Sequence, residues 1–353
     1  MTDYEVLAAM VSPLCSWYRQ NKRDLPWREN HDPYRVWVSE IMLQQTRVEA
    51  ALPYYERFLR ALPTVQALAD APEEKLLKLW EGLGYYSRVR NMQKAAQVVC
   101  EQYGGRFPQD AALLETLPGI GDYTAGAVAS IAFGLPVPAV DGNVLRVAAR
   151  LCNDDADIMQ AQTKKRVKAA LFNVYHLAED CSDLTQAIME LGALVCIPGA
   201  PRCSVCPLAS ICRARIAGTE SLLPIRLAKK EKKTEKRTML LIVSNGAVLL
   251  VKRPPKGVLA GMYEFPSLGG HADEKQVTAA LKELGIHGQS QPFTESRHVF
   301  THLIWDMKSR LVLTEKQTDG GFWATADRLA HEVMLPSAMK PFYRALLQNG
   351  YLK

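Results

Sequence analysis

The sequence predicts a multidomain protein, an all-α domain over residues 1–225 followed by a smaller α+β domain over 238–353. Three observations predict it. Apolar residues recur at spacings of three and four through the first part, with Pro or Gly between most segments. After Arg237 the pattern turns to short strand-like runs. Between the two lies RLAKKEKKTEKR, residues 226–237, which has no hydrophobic face and reads as a basic linker. A chain of 353 residues is also long for one core.

The helical part is built from YEVLAAMVSPLCSWYRQ, YRVWVSEIMLQQTRVEAALPYYERFLRAL, PEEKLLKLWEGLG, SRVRNMQKAAQVVCEQYG and DYTAGAVASIAFG. The second pattern is very long, and Pro53 is expected to end or kink it. In the second part, TMLLIVSNGAVLLVKRP reads as two strands joined at Asn245-Gly246, a strong hairpin signal. VTAALKELG reads as a helix; HVFTHLIWDMKSRLVL and GGFWATADRL read as strands leading into a helical tail.

The formal charge of +6 is mildly basic and compatible with a polyanionic partner. No apolar run reaches the roughly 18 residues of a membrane span. The start, MTDYEVLAAM, lacks a basic n-region and a cleavage pattern. The expectation is a cytoplasmic protein with no membrane partner.

Four of the eight cysteines crowd into one segment as Cys196-x6-Cys203-x2-Cys206-x5-Cys212. Without a secretion signal, such clustering points to metal or cluster ligation rather than disulfides. Four soft thiolates suit zinc or an iron–sulfur cluster. The six-residue first gap is not the paired spacing of a zinc ribbon. Pro198, Pro201, Arg202, Pro207 and Arg213 lie in and beside the loop, where basic groups could meet phosphates.

Two carboxylates stand out. Glu40, in SEIMLQQT, is the only acid between Pro33 and Thr46, with Val36, Trp37, Leu43 and Gln44 one turn away. An apolar setting would raise its pKa and hold it protonated near neutrality; the bland alternative is a Glu on a solvated face. Asp141 stands just before an apolar-periodic segment, as a helix N-cap would. In LPGIGDYTAG, Gly119 and Gly121 permit tight turns and close approach of another chain, and the helix that follows offers free N–H groups to a phosphate.

Taken together, LPWR (residues 25–28), DPYRVWVSEIMLQQT, WEGLGYYSRVRN, LPGIGDYTAGA, VDGNV and the cysteine loop resemble MutY-type adenine DNA glycosylases. These belong to the endonuclease III superfamily, and the resemblance extends over essentially the whole chain. It implies a helix-hairpin-helix near residues 113–126, a [4Fe-4S] loop over 196–212 and a Nudix-like domain over 238–353. It also implies excision of adenine mispaired with 8-oxoguanine, or with guanine, in double-stranded DNA. The catalytic set would be Glu40 and Asp141, supported by Tyr123 and Asn143. Trp27 and Arg28 resemble residues of the adenine pocket. Gln45 would fill the gap left by the flipped base, and Thr46 would touch the orphaned purine. Leu83 and Tyr85 resemble a second wedge, beside Ser87, Arg88 and Arg90 as phosphate-binding groups. On pattern alone Leu83 and Tyr85 could be ordinary core residues.

Where bifunctional relatives carry a nucleophilic Lys, this chain has Tyr123. Without the amine there is no Schiff base for β-elimination, so a monofunctional enzyme is expected. A Nudix hydrolase needs three acids on its box helix; aligned on Gly285, only Glu283 remains in TAALKELG, so lesion reading rather than nucleotide hydrolysis is expected. Phe300, Thr301 and His302 resemble the Phe-Ser-His loop that senses 8-oxoguanine, with Thr301 in place of Ser. A bacterial, nucleoid-associated monomer is the expectation. The family's clamp and mismatch-repair partners carry over without any residue assigned to them. The competing readings are a pyrimidine glycosylase/lyase, a non-catalytic cluster-containing DNA binder and a Nudix hydrolase with a helical extension.

Overall fold

The computed structural model describes residues 2–227 and 231–353. Ala228, Lys229 and Lys230 of the basic linker lie outside the described residues. The chain forms two compact units, Met1–Ala71 with Asn91–Lys229, and Pro72–Arg90 with Lys230–Lys353. The segment holding Leu83 and Tyr85 therefore groups with the C-terminal residues.

The helices of the first part are α1 (Asp3–Asn21), α2 (Pro33–Leu43), α3 (Val48–Ala61), α4 (Val65–Ala69), α5 (Glu73–Leu79) and α6 (Ser87–Tyr103). They continue as α7 (Ala111–Glu115), α8 (Asp122–Phe133), α9 (Gly142–Cys152), α10 (Ala161–Tyr175), α11 (Cys181–Leu194) and α12 (Arg213–Ala217). Asp32 caps α2 by accepting from the Arg35 amide, and Pro33 follows at the first helical turn, where its missing N–H costs nothing. The break in the long second pattern is not at Pro53, which sits inside α3. It falls between Leu43 and Val48, where Gln45 takes a left-handed φ of 61°. Polar Gln-Gln-Thr cannot extend the apolar face of α2, so the helix stops there. One core is formed by α1, α9, α10 and α11 around Leu14, Val147, Leu171 and Leu184.

The second unit contains β1 (Lys233–Ser244), β2 (Ala247–Lys252), β3 (Tyr263–Glu264), β4 (Ser267–Gly269), α13 (Glu274–Glu283), β5 (Ser290–Val299) and β6 (Leu303–Leu313). It ends with β7 (Phe322–Thr325), α14 (Ala326–His331) and α15 (Lys340–Gln348). The sheet runs β3-β2-β1-β6-β5, with β4 paired to β1 and β7 to β2. Asn245 and Gly246, both at positive φ, turn the hairpin between β1 and β2. The strand starts inside the basic segment, for Lys233 to Arg237 already pair in parallel with β6. Only Phe322–Thr325 of GGFWATADRL is strand; a helix capped by Thr325 follows. Alternation along β1 sends Met239 and Leu241 to one face, against Phe342 and Leu346 of α15. Leu240 and Ile242 face Val277 and Leu281 of α13. Among the described residues no helix is long and apolar enough to cross a membrane.

Candidate active site

Glu40 lies on the buried face of α2 and is 7% exposed. The Tyr123 hydroxyl, from the first turn of α8, donates to its Oε2. Burial drives the Glu40 carboxyl up to about 7; the Tyr123 hydrogen bond pulls against this, and the charge of Asp141 adds to it. The same apolar burial raises the Tyr123 phenol well above its ordinary range, so it stays a donor.

Asp141 caps α9. Its Oδ1 accepts the amides of Asn143 and Val144, both at 2.8 Å, and its Oδ2 accepts the Asn143 side-chain amide at 2.8 Å. Burial raises this carboxyl, while those donors and the Arg146 guanidinium favour the ionised form. Arg146 in turn donates to Asn143 Oδ1 at 2.9 Å, to the Gly192 carbonyl at 2.7 Å and to the Cys196 carbonyl at 2.7 Å. The cap seen in the sequence and the candidate carboxylate are thus one side chain in one geometry.

Trp27 and Arg28 form a short 3-10 turn, Pro26–Arg28, ahead of α2. Trp27 is buried edge-on against Tyr55, with ring centroids 5.2 Å apart. Arg28 forks onto Glu190 at 3.0 and 2.8 Å, and Arg23 forks onto the same carboxylate at 2.9 and 2.7 Å. Burial would raise Glu190, but the two guanidinium hydrogen bonds outweigh it and hold the group at about 2. Arg23, Arg146, Gly192 and Glu190 were not singled out in the sequence. Glu190 carried the same signal as Glu40, a lone acid in an apolar helical run, AIMELGAL over residues 187–194.

Gln45 is exposed beyond the end of α2, and the Thr46 amide closes the turn onto the Leu43 carbonyl. Gly119 has a φ of +76°, and a Cβ there would come within 2.6 Å of Asn91 Cβ. A Cβ on Gly121 would meet nothing within 4 Å, so the backbone at the N-terminus of α8 is open to a ligand.

In the other unit, Tyr85 is left-handed (φ 48°), 47% exposed, and its hydroxyl meets that of Thr301. Arg88 turns inward: it donates to the Leu83 and Gly84 carbonyls, both at 3.2 Å, and stacks over Trp80 and Tyr85. Burial lowers its pKa to about 10. Ser87 is exposed at the start of α6, and Thr301 and His302 are exposed on the turn between β5 and β6. Phe300 packs edge-on against His298 and Trp305. The site residues thus fall into two sets, Trp27, Arg28, Glu40, Tyr123, Asp141 and Asn143 in one unit, and Leu83, Tyr85 and Phe300–His302 in the other.

Among the described residues no group of three or more His, Cys, Asp or Glu is arranged to hold a metal ion. Burial foremost pushes the Cys203, Cys206 and Cys212 thiols up, with Cys196 among the further causes for each. Buried Arg150 donates to Cys196 Sγ at 3.4 Å and to the carbonyls of Ile197, Gly199 and Leu223.

Comparison with known proteins gives the family of the chain. Residues 38–177 match the HhH-GPD superfamily base excision DNA repair protein family, and residues 238–345 match the NUDIX domain. The chain is 35% identical over 409 residues to the adenine DNA glycosylase of Homo sapiens, covering 97% of this chain and 74% of the human one. It is 34% identical to that of Buchnera aphidicola subsp. Baizongia pistaciae, covering 82% of each. The chain belongs to the adenine DNA glycosylase family. A solved non-covalent endonuclease III–DNA complex shares the helical fold, with a TM-score of 0.50 at 23% identity, covering 62% of this chain and 98% of that one. This member of the family is therefore a DNA glycosylase of base excision repair, a helical glycosylase domain joined to a Nudix-like domain built on a mixed sheet.

Proposed function

We propose that this adenine DNA glycosylase is monofunctional and excises adenine placed opposite 8-oxoguanine or, more weakly, guanine in double-stranded DNA. The observation that carries the chemistry is the pair of carboxyls with opposite surroundings. Glu40 is buried and titrates near 7, while Asp141 is clamped by three hydrogen-bond donors. The target adenine leaves the duplex to reach them. Glu40 passes its proton to N7 of adenine, which makes the base a competent leaving group. The bond from N9 to C1′ breaks and adenine departs with the bonding pair. The sugar becomes an oxocarbenium ion, and the Asp141 carboxylate stabilises that charge. Glu40, now ionised, takes a proton from the water that attacks C1′, and is restored. Asn143 holds Asp141, and Tyr123 holds Glu40.

The lesion-reading assignment falls to Tyr85, Leu83 and Phe300–His302, with Gln45 and Thr46 reaching the opposing strand from the end of α2. The functional division proposed is 1–225 for excision, with Gln45, Thr46, Leu83 and Tyr85 joining in the reading, and 238–353 for reading. Assignment of Tyr85 to reading is supported by its hydroxyl contact with Thr301. One assay sorts the alternatives. Duplexes with A opposite 8-oxoguanine should be cut at A only after alkali. Cleavage without alkali would mean a lyase, and no cleavage would remove the excision proposal.

Cys196, Cys203, Cys206 and Cys212 would hold a [4Fe-4S] cluster whose part is structural, a rigid hub for the loop. Buried Arg150 beside Cys196 would supply countercharge to an anionic cluster. Iron and sulfide analysis of the purified protein, beside a Cys203→Ser variant, tests this: about four irons per chain in the first and loss in the second.

A further inference from the structure

Beneath the Phe300–His302 turn lies a buried ionic cluster that the excision chemistry does not use. Glu264 of β3 is buried. It accepts from Arg253 Nη1 at 2.5 Å and from Arg237 Nη2 at 3.3 Å. Both guanidiniums lie over the ring of Trp305, 4.2 Å from its centroid for Arg237 and 5.1 Å for Arg253. Arg237 also donates to Ser267 Oγ at 2.5 Å. One carboxylate serving two cations is costly to bury. A sheet of this kind needs none of them for its core.

The cluster has two outlets, and both lead to the same place. Trp305 carries Phe300 on its ring, at 4.8 Å, and Phe300 carries His298, at 4.6 Å. Arg253 donates its Nε to the Val258 carbonyl at 2.8 Å, and its amide to the Met262 carbonyl at 2.8 Å. It therefore pins the 254–262 loop at its middle and at its far end. Arg90 holds that loop from the other side through the Ala260 carbonyl, at 2.8 Å. Val258, Leu259 and Met262 from the loop, with Tyr85, Phe300 and Thr301, line a cavity of about 370 Å³.

We propose that Arg237, Glu264 and Arg253 are positioning residues for base discrimination. They set the place of Thr301 through Trp305 and Phe300, and the opposite cavity wall through Val258. The proposal rests on the reading of Thr301 as the contact to the base opposite adenine.

The test measures single-turnover excision by the full chain on duplexes with A opposite 8-oxoguanine and A opposite guanine. Glu264→Gln, Arg253→Lys and Thr301→Ala are compared, with the melting temperature of each. Arg253→Lys keeps the charge beside Glu264 but lacks the Nε bond to Val258, and serves if Glu264→Gln does not fold. For Glu264→Gln and Arg253→Lys the expected result is a fall of about tenfold in the 8-oxoguanine-to-guanine rate ratio, with the guanine-opposed rate kept within about twofold; for Thr301→Ala it is a fall in the ratio. An unchanged ratio in the folded variants, or an equal loss of both rates, overturns the proposal. If Thr301→Ala leaves the ratio unchanged, the reading of that turn fails, and the proposal fails with it. If Thr301→Ala alone lowers it, the reading stands and only the positioning role is lost.

Discussion

The Tyr123 hydroxyl donates to Oε2 of Glu40 across 83 positions of sequence, joining the first turn of α8 to the buried face of α2. This bond favours the ionised carboxylate, so it works against burial, the main cause of the raised Glu40 pKa. Tyr123→Phe removes it. The Glu40 pKa should then rise above about 7, and the alkaline limb of the excision rate, which the proposed mechanism ties to protonated Glu40, should move to higher pH. The plateau rate should drop by about tenfold, because the proton is less well aimed. A pH–rate profile under single-turnover conditions decides the matter; an unshifted limb would detach Tyr123 from proton transfer.

Ionised Glu40 also burdens the fold. Its carboxyl titrates near 7 when folded against 4.5 for the free side chain. Between those values the folded state keeps a proton that the unfolded state has released, so stability falls as pH rises from 4.5 to about 7, and the cost is complete above 7. Glu40→Gln carries no such charge. It should be more stable than the natural protein at pH 8, by about 3 kcal/mol, and lose that margin by pH 4.5. Its excision rate should fall by about a thousandfold while DNA binding persists. Urea unfolding at both pH values, set beside binding and excision, checks all three. Near-normal excision by this variant would remove Glu40 from the chemistry.

Glu190 behaves in the opposite sense. Arg23 and Arg28 hold it at about 2, below the ordinary 4.5. The stability it brings is present above 4.5 and lost as pH falls through about 2, so it is constant across neutral pH. Glu190→Gln leaves two guanidiniums without their carboxylate and should cost roughly 3 kcal/mol at pH 7. Under the proposed role of Arg28 in the adenine pocket, its release from the fork should also slow excision. A urea midpoint equal to that of the natural protein would show that the fork contributes nothing.

The sequence made the local part of this legible. The helical and α+β halves, the Asn245-Gly246 hairpin and the Asp141 cap all follow from spacing and turn chemistry over a few residues. Glu40 stood out because a carboxylate among Val, Trp and Leu has no packing reason to be there. Contacts across long separations were hidden. Nothing near Glu190 in sequence names Arg28, 162 positions away, as its partner. Pro53 misled because a Pro can be carried inside a helix when neighbouring packing holds it, and the break came instead at a polar Gln-Gln-Thr. Arg88, expected to face a phosphate, carries donors that its own turn uses.

Gly192 marks how closely α11 approaches the start of α9. A Cβ built there would lie 2.7 Å from Asn143 Cβ and 3.3 Å from its Cα. Backbone on one side and a clamped side chain on the other leave no easy escape. Gly192→Ala must therefore push Asn143 away and disturb two of the three donors that Asp141 accepts. The Asp141 carboxyl, already raised by burial, should rise further and stabilise the oxocarbenium ion less well. Excision should fall by about 10- to 100-fold, with DNA affinity retained and a stability loss of about 1–3 kcal/mol. Gly269→Ala is the control, since a Cβ there meets nothing within 4 Å. Equal excision rates for the two variants would show that Asn143 can give way without cost, and that the close approach of these helices is not what holds Asp141.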